Sequence, residues 1–178
     1  IQHFFFFFLP KIDMQLMGGG ENLWVYNSHA WKYLFFFVFI NAYKYSLQWV
    51  DLFYSHPEMI VNHPVWFLKG NSYLLNTLFL LRKRKRFEFW LNKLEVVVDE
   101  KLPKNENIES VLFTVLFNAR MNRVFLTGNY KESEKLILEI NADKAFQDFK
   151  VDEHHILILH FKIASAYMGN REYDKCLN

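Results

Sequence analysis

The segment IASAYMGNREYDKCL, residues 163–177, carries in one place the pattern that organises most of the chain. Small and apolar residues precede the pair Gly169-Asn170, and Tyr173 follows it at the start of a second run. Gly-Asn is a strong turn signal, because glycine tolerates backbone conformations that other residues resist. The segment therefore predicts two helices joined by a tight turn.

An aromatic residue recurs at the position of Tyr173. Going back along the chain it is found at Tyr130, Phe87 and Tyr43, at separations of 43, 43 and 44 residues. The residues three positions after these four aromatics are Cys176, Ser133, Trp90 and Ser46. A fixed period in this range with helical spacing inside it is typical of a helical repeat array. We predict an all-α fold: a right-handed α-solenoid of antiparallel helix pairs, with about 43 residues per repeat.

The hydrophobic spacing predicts the helices of each pair. The first helix runs on from Leu23, with an apolar stripe at Trp31, Leu34, Phe35, Val38 and Phe39, and the second spans about 42–53. The next pairs are predicted at about 64–81 and 85–99, and at 107–126 and 129–148, with Pro103, Asn105 and Asn107 marking the loop between these pairs. Asp152 is the expected N-cap of a helix that reaches Met168, and its partner helix is cut short. No stretch alternates with period two, so we predict no sheet.

Two domains of unequal character follow from this pattern. Residues 1–22 lie outside the repeat and form an irregular leader in which Gly18-Gly19-Gly20 is a flexible break, and residues 23–178 form the repeat domain of about three and a half repeats. The chain begins with Ile1 and stops at Asn178 inside an expected helix, so we interpret it as a fragment of a longer protein.

Packing explains the recurring residues. The aromatic fills the space between its own pair and the next, and a small residue one turn later lets the helices approach. Trp90 departs from this rule, so there we expect either splayed helices or a ring that turns outward. Gly128 and Gly169 are expected to supply turn conformations that larger residues resist.

The composition excludes several classes of protein. A net charge of +2 is too small to imply a polyanionic partner, and a single cysteine allows no internal disulfide, which fits a cytoplasmic protein. The longest apolar run of the repeat domain, residues 33–40, has eight residues where a membrane-spanning helix needs about twenty. We therefore expect no membrane span and no nucleic-acid partner.

Residues 163–177 resemble a tetratricopeptide repeat, with Ala164, Tyr167 and Tyr173 at the small and aromatic positions of that family and Cys176 where alanine is usual. Residues 128–133 resemble the same turn, whereas earlier repeats match in periodicity only. The period exceeds the family's usual 34 residues, and such long repeats are similar to those of large, uncharacterised bacterial proteins. The resemblance implies a non-enzymatic scaffold that binds a protein or peptide on its concave face.

In that family the first helix of each pair lines the concave face. Carrying the register over places there Trp31, Lys32, Phe35, Leu75, Asn76, Phe79, Asn118, Asn122, Phe161, Lys162 and Ser165. Asn118 and Asn122 are four apart and share a helical face, so their amides could hydrogen-bond the backbone of an extended peptide. The lysines could bind carboxylates and the aromatics could hold apolar side chains.

Other candidate sites have plainer interpretations. The run Arg82–Arg86 could bind nucleic acid, an acidic peptide or a membrane surface, or act as a nuclear import signal, but we interpret it as a solvated corner between helices. His154, His155 and His160 lack the spacing of helical metal ligands, and Cys176 occupies a packing position that predicts a buried, inert thiol. We predict no catalytic site, no metal and no cofactor.

Two functions remain open. The first is the peptide-binding scaffold, and the alternative is a peptide-sensing module of a transcription regulator whose DNA-binding domain lies outside this fragment. We also expect that the chain associates with itself through the uncovered face of its last repeat.

Overall fold

A computed structural model describes residues 19–35, 38–103, 105–142 and 153–176. Every regular element in these ranges is helical, which confirms the predicted all-α class for this part of the chain. The α-helices are α1 (Gly19–Phe35), α2 (Phe39–Ser55), α3 (Glu58–Asn62), α4 (Pro64–Leu80), α5 (Arg84–Lys101), α6 (Glu106–Thr127), α7 (Lys131–Ala142) and α8 (Glu153–Asn170), and a short 3₁₀ helix follows at Tyr173–Cys176.

Local signals set several of the helix ends. Pro64 stands at the first position of α4, where its missing N–H costs nothing. The side chain of Asn105 accepts a hydrogen bond from the backbone N–H of Ile108 at 3.0 Å and caps α6. Gly128 ends α6 in the left-handed region, with φ of 71°, as the turn signal predicted.

Some predicted boundaries were wrong. Helix α1 begins at Gly19, so Gly19 and Gly20 of the predicted break and the last two residues of the predicted leader are helical, while Gly18 lies outside the described residues. The apolar stripe expected to run to Phe39 on one helix is divided between α1 and α2, because the chain turns at Val38. Helix α3 was not predicted, and Asn107 lies within α6. The predicted helix over 129–148 is described only to Ala142, and the cap at Asp152 lies outside the described residues.

Helices that are near in sequence pack on one another. Helix α4 contacts α1, α2, α5 and α6, and helix α6 contacts α4, α5, α7 and α8. The larger hydrophobic core lies among α2, α4, α5 and α6, and its fully buried aromatic side chains are Trp49, Phe53, Phe67 and Phe87. Each side chain of this size contributes roughly 1.5–3 kcal/mol through its removal from water. A smaller core of α6, α7 and α8 surrounds Met121 and Leu159.

The recurring positions of the sequence pattern have different environments. Phe87, Ser46 and Ser133 are buried, whereas Tyr173 is largely exposed and Cys176 is half-buried rather than buried. Trp90 is also buried and packs against Tyr54 with ring centroids 5.8 Å apart, so of the two alternatives expected there the outward-turned ring is excluded, and splayed helices stay a prediction.

Gly169 is needed for space rather than for its turn conformation. It lies within α8, and the residue of that corner with a positive φ is Arg171, at 64°. A Cβ on Gly169 would meet the ring of Tyr130 at 2.5 Å, so only glycine fits beneath that ring.

Candidate functional site

A groove of about 760 Å³ runs across one side of the molecule. Its walls come from α1, α4, α6 and α8, the helices that correspond to the first member of each predicted pair. The lining residues are Leu34 from α1; Val65, Lys69, Ser72, Tyr73, Asn76, Phe79 and Leu80 from α4; Ser110, Val111, Thr114, Val115, Asn118 and Asn122 from α6; and His155, Ile158 and Lys162 from α8.

A chain of hydrogen bonds joins three of these helices in the groove. The Asn122 Nδ2 group donates to Asn76 Oδ1 at 3.0 Å, and the Lys162 ammonium donates to Asn122 Oδ1 at 2.7 Å. Asn122 is almost completely buried, so its amide is committed to these two neighbours. The amide therefore links α4 to α8 through α6.

Lys162 is a cation held by neutral acceptors. Besides the Asn122 amide, its Nζ lies 3.4 Å from the backbone carbonyl of Asn118. The side chain is partly buried at the groove, and this desolvation lowers the pKa of Lys162 to about 8. An ammonium with three N–H donors in this environment favours an anionic or strongly polar partner.

Asn118 adds an acceptor to the same region. Its Oδ1 atom is buried and accepts no hydrogen bond from the described part of the protein. A buried polar atom without a partner costs about 1–3 kcal/mol, so a donor that reaches it from the groove would gain a strong interaction.

The remaining walls combine apolar and aromatic surface. Tyr73 lines the groove, and burial raises the pKa of its hydroxyl to about 12, so the ring is neutral at physiological pH. Phe79 lies six residues further along α4, and the Arg82 guanidinium carbon is 5.8 Å from the centroid of the Phe79 ring. A few polar groups among apolar walls are typical of a ligand groove.

The structure gathers five of the expected site residues in this groove and separates the others from it. Asn76, Phe79, Asn118, Asn122 and Lys162 line the groove. The others are not among the lining residues. Trp31 and Phe161 are 48% and 73% exposed, and Leu75 is buried in the larger core. Lys32 lies over the Tyr33 ring, the Ser165 hydroxyl donates to the Phe161 carbonyl, and the side chain of Phe35 lies outside the described residues.

The sequence held a signal for lining residues that the register missed. Ser110, Thr114, Asn118 and Asn122 follow one another at intervals of four along α6, and all four line the groove. Residues at this interval lie on one face of a helix. Between Val111 and Met121 the other residues of α6 are apolar except Arg120, so this polar stripe could have identified the face directly.

The other residues with possible chemistry are dispersed. His155 lines the groove, whereas His160 is exposed, and the side chain of His154 lies outside the described residues. Within the described ranges no group of three or more His, Cys, Asp or Glu is arranged to hold a metal ion. None of the described helices combines the length and the apolar character that crossing a membrane requires.

Comparisons with known proteins give no relative for this chain. No protein-family model, no curated protein and no solved structure matches it.

Proposed function

We propose that this chain is a non-enzymatic scaffold whose groove binds an extended segment of a protein or peptide. The observation that carries the proposal is the chain of hydrogen bonds that joins Asn76, Asn122 and Lys162. It fixes a cation and polar groups along a groove with apolar walls. An extended peptide offers backbone donors and acceptors along its whole length, together with side chains for apolar contacts.

A helical repeat array is the architecture that we propose for this scaffold. Hydrogen bonds between helices recur at sequence separations close to the period of the aromatic residues: Arg86 to Tyr43 spans 43 residues, Asn122 to Asn76 spans 46, and Lys162 to Asn122 and Asn170 to Tyr130 span 40 each. Contacts at one repeat distance are what stacked repeats produce, because each repeat touches its neighbours.

The groove chemistry indicates the kind of peptide. Lys162 favours a carboxylate, and Asn118 Oδ1 favours a backbone or side-chain N–H. The apolar wall beside Phe79 and Val115 favours an aliphatic or aromatic residue nearby. The proposed ligand is therefore an extended peptide that combines an acidic group with an apolar side chain.

Selection from a peptide-display library on the immobilised chain tests the proposal. We expect acidic and apolar residues to be enriched, and the affinity of a selected peptide can be measured by titration calorimetry. Lys162→Met should weaken binding about tenfold or more, the effect of a central binding residue. Asn118→Ala should weaken it by a smaller factor.

Matched controls separate the groove from general effects of charge and amides. Lys101→Met and Asn92→Ala make equivalent changes at exposed positions of α5 and should leave the affinity unchanged. Selection of no peptide, or equal binding by Lys162→Met and Lys101→Met, would show that the groove is not the binding site.

A further inference from the structure

A second surface of the molecule lies where α4 ends and α5 begins. All five residues of the run Arg82–Arg86 are exposed there. Arg82 follows the last turn of α4, and its N–H donates to the Phe79 carbonyl at 3.0 Å. Lys83 precedes α5, and Arg84, Lys85 and Arg86 form the first turn of that helix.

Local folding preferences oppose this arrangement twice. Arg82 has a φ of 54°, in the left-handed region that favours glycine or asparagine. The first turn of a helix favours acidic residues, because the partial charge of its free N–H groups is positive, yet α5 has three cations there. Residues that break local rules together are expected where a function needs them.

The start of α2 lies beside this run. The Arg86 guanidinium donates to the Tyr43 hydroxyl at 3.1 Å, and its carbon lies 5.7 Å from the Tyr43 ring centroid. Tyr43 and Ile40 are both in the first part of α2, and Lys44 is exposed next to Tyr43. The start of α2 and the corner between α4 and α5 thus form one surface.

This surface also exposes large apolar side chains. At the start of α2, Val38 and Ile40 are 41% and 74% exposed. On either side of the basic run, Leu80 and Phe89 are 45% and 59% exposed. Phe89 lies three residues after Arg86 and therefore on the same side of α5. We call the set Val38, Ile40, Lys44, Leu80, Arg82–Arg86 and Phe89 the basic corner.

We propose that the basic corner binds the surface of an anionic membrane, with its cations among the lipid headgroups and its apolar side chains in the interfacial layer. This binding is peripheral; Leu80 is shared with the peptide groove, whereas none of the five cations of Arg82–Arg86 lines that groove. Each Lys or Arg near an anionic lipid surface strengthens binding about fivefold, so a cluster of five supplies a substantial affinity. Exposed apolar side chains add to this electrostatic attraction when they enter the interface.

The apolar side chains favour a lipid surface over a nucleic acid. Phosphate groups of DNA or RNA would interact with the cations alone, and single strands would need aromatic side chains on which bases stack. Of the four exposed apolar side chains of the basic corner, only Phe89 is aromatic and could stack on a base, whereas Val38, Ile40 and Leu80 are aliphatic and suit the boundary between headgroups and acyl chains.

Co-sedimentation of the 178-residue chain with lipid vesicles tests the proposal. One set of vesicles contains phosphatidylcholine with about 30% phosphatidylserine, and the other contains phosphatidylcholine alone. We expect binding to the anionic vesicles only, and weaker binding when salt is added, because the interaction is partly electrostatic. A fluorescent duplex DNA fragment and a single-stranded RNA fragment, titrated in the same buffer, measure binding to nucleic acid.

Two variants separate the charge from the apolar contribution. The triple variant Lys83→Gln, Arg84→Gln, Lys85→Gln should lose about 100-fold in affinity for anionic vesicles. The triple variant Lys101→Gln, Lys131→Gln, Lys135→Gln has the same net charge and should bind like the parent. Ile40→Gln should lose about tenfold, whereas Leu138→Gln, at another exposed apolar position, should not.

The proposal is wrong if the parent chain does not sediment with anionic vesicles. It is also wrong if either basic-corner variant binds as tightly as its control while retaining a helical circular-dichroism spectrum. Tighter binding to duplex DNA or to RNA than to the vesicles, unaffected by Ile40→Gln, would assign the surface to nucleic acid instead.

Discussion

The ring of Tyr130 lies against the backbone of Gly169, so closely that a methyl group on Gly169 would stand 2.5 Å from two ring atoms. A hydrogen bond from Asn170 Nδ2 to the Tyr130 carbonyl, at 3.1 Å, supports the same contact. The end of α8 is thereby fixed to the start of α7. This close approach is possible because Gly169 has no side chain.

Gly169→Ala should destabilise the protein despite the higher helix propensity of alanine. The propensity gain is at most about 1 kcal/mol, whereas overpacking against a fixed ring costs typically 1–3 kcal/mol. Chemical denaturation measures the change. In a Tyr130→Ala background the ring is gone, so the same substitution should instead stabilise the protein by up to about 1 kcal/mol. Equal effects in the two backgrounds would show that Tyr130 and Gly169 are not in contact.

Two tryptophans should differ greatly in their contribution to stability. Trp49 is fully buried against Gly70, Trp66 and Tyr73, so Trp49→Ala should cost about 3–5 kcal/mol. Trp31 is nearly half exposed, and Trp31→Ala should cost no more than about 1 kcal/mol. Thermal or urea unfolding of the two variants compares them, and similar losses would place Trp31 in the core.

Stability should rise between pH 8 and about pH 10 because of Lys162. Below pH 8 the ammonium is protonated in both states, so its desolvation cost is present in full. Above the folded pKa of about 8 and below the usual value of 10.5, only the unfolded chain binds this proton, so the free energy of unfolding increases with pH, by up to about 3 kcal/mol in total.

Urea denaturation at several pH values, with Lys162→Met as the comparison, isolates this effect. The variant should lack the rise, whereas Lys101→Met should retain it. The comparison is best made below pH 10, because the raised pKa of Tyr73 opposes the trend above that value. A parallel pH dependence for parent and Lys162→Met would mean that the ammonium is not desolvated.

Asn122→Ala should be more damaging than Asn118→Ala. The first substitution removes the group that bonds to both Asn76 and Lys162, so Asn76 Oδ1 loses its donor and Lys162 keeps only the 3.4 Å contact with the Asn118 carbonyl. The expected cost is about 1–3 kcal/mol. Asn118→Ala removes an acceptor that has no partner among the described residues, so its cost should be smaller. The opposite order, measured by the same denaturation experiment, would contradict the bond chain.

Phe161→Glu should change the free energy of unfolding by less than about 0.5 kcal/mol, because the side chain is largely exposed.

The self-association expected from the sequence stays a prediction. Sedimentation velocity at several concentrations tests it. Because Leu157, Phe161 and Met168 are exposed on α8, Phe161→Glu is the variant that tests association through this apolar face. A sedimentation coefficient independent of concentration in the parent chain would contradict it.

The predicted repeat register anticipated part of the groove, because the helices expected to be first in each pair, α1, α4, α6 and α8, are those that line it. Asn118 and Asn122 were expected on one face of a helix, and both line the groove. The register was wrong for Leu75, which is buried in the larger core, and it placed Phe161 in the groove where the structure leaves it exposed. A small rotation of a helix about its axis moves such residues between groove, core and solvent, and the sequence pattern does not set that rotation.

The sequence by itself determined the helical character of the described chain and some of its helix ends. Apolar spacing, Pro64, the Asn105 cap and the Gly128 turn act within a few residues, so their effects are readable locally. Only the tertiary structure decided that Asn76, Asn122 and Lys162 form one chain of bonds, and that Gly169 lies beneath Tyr130. These groups are about 40 residues or more apart, and their meeting depends on how whole helices are rotated and packed against one another.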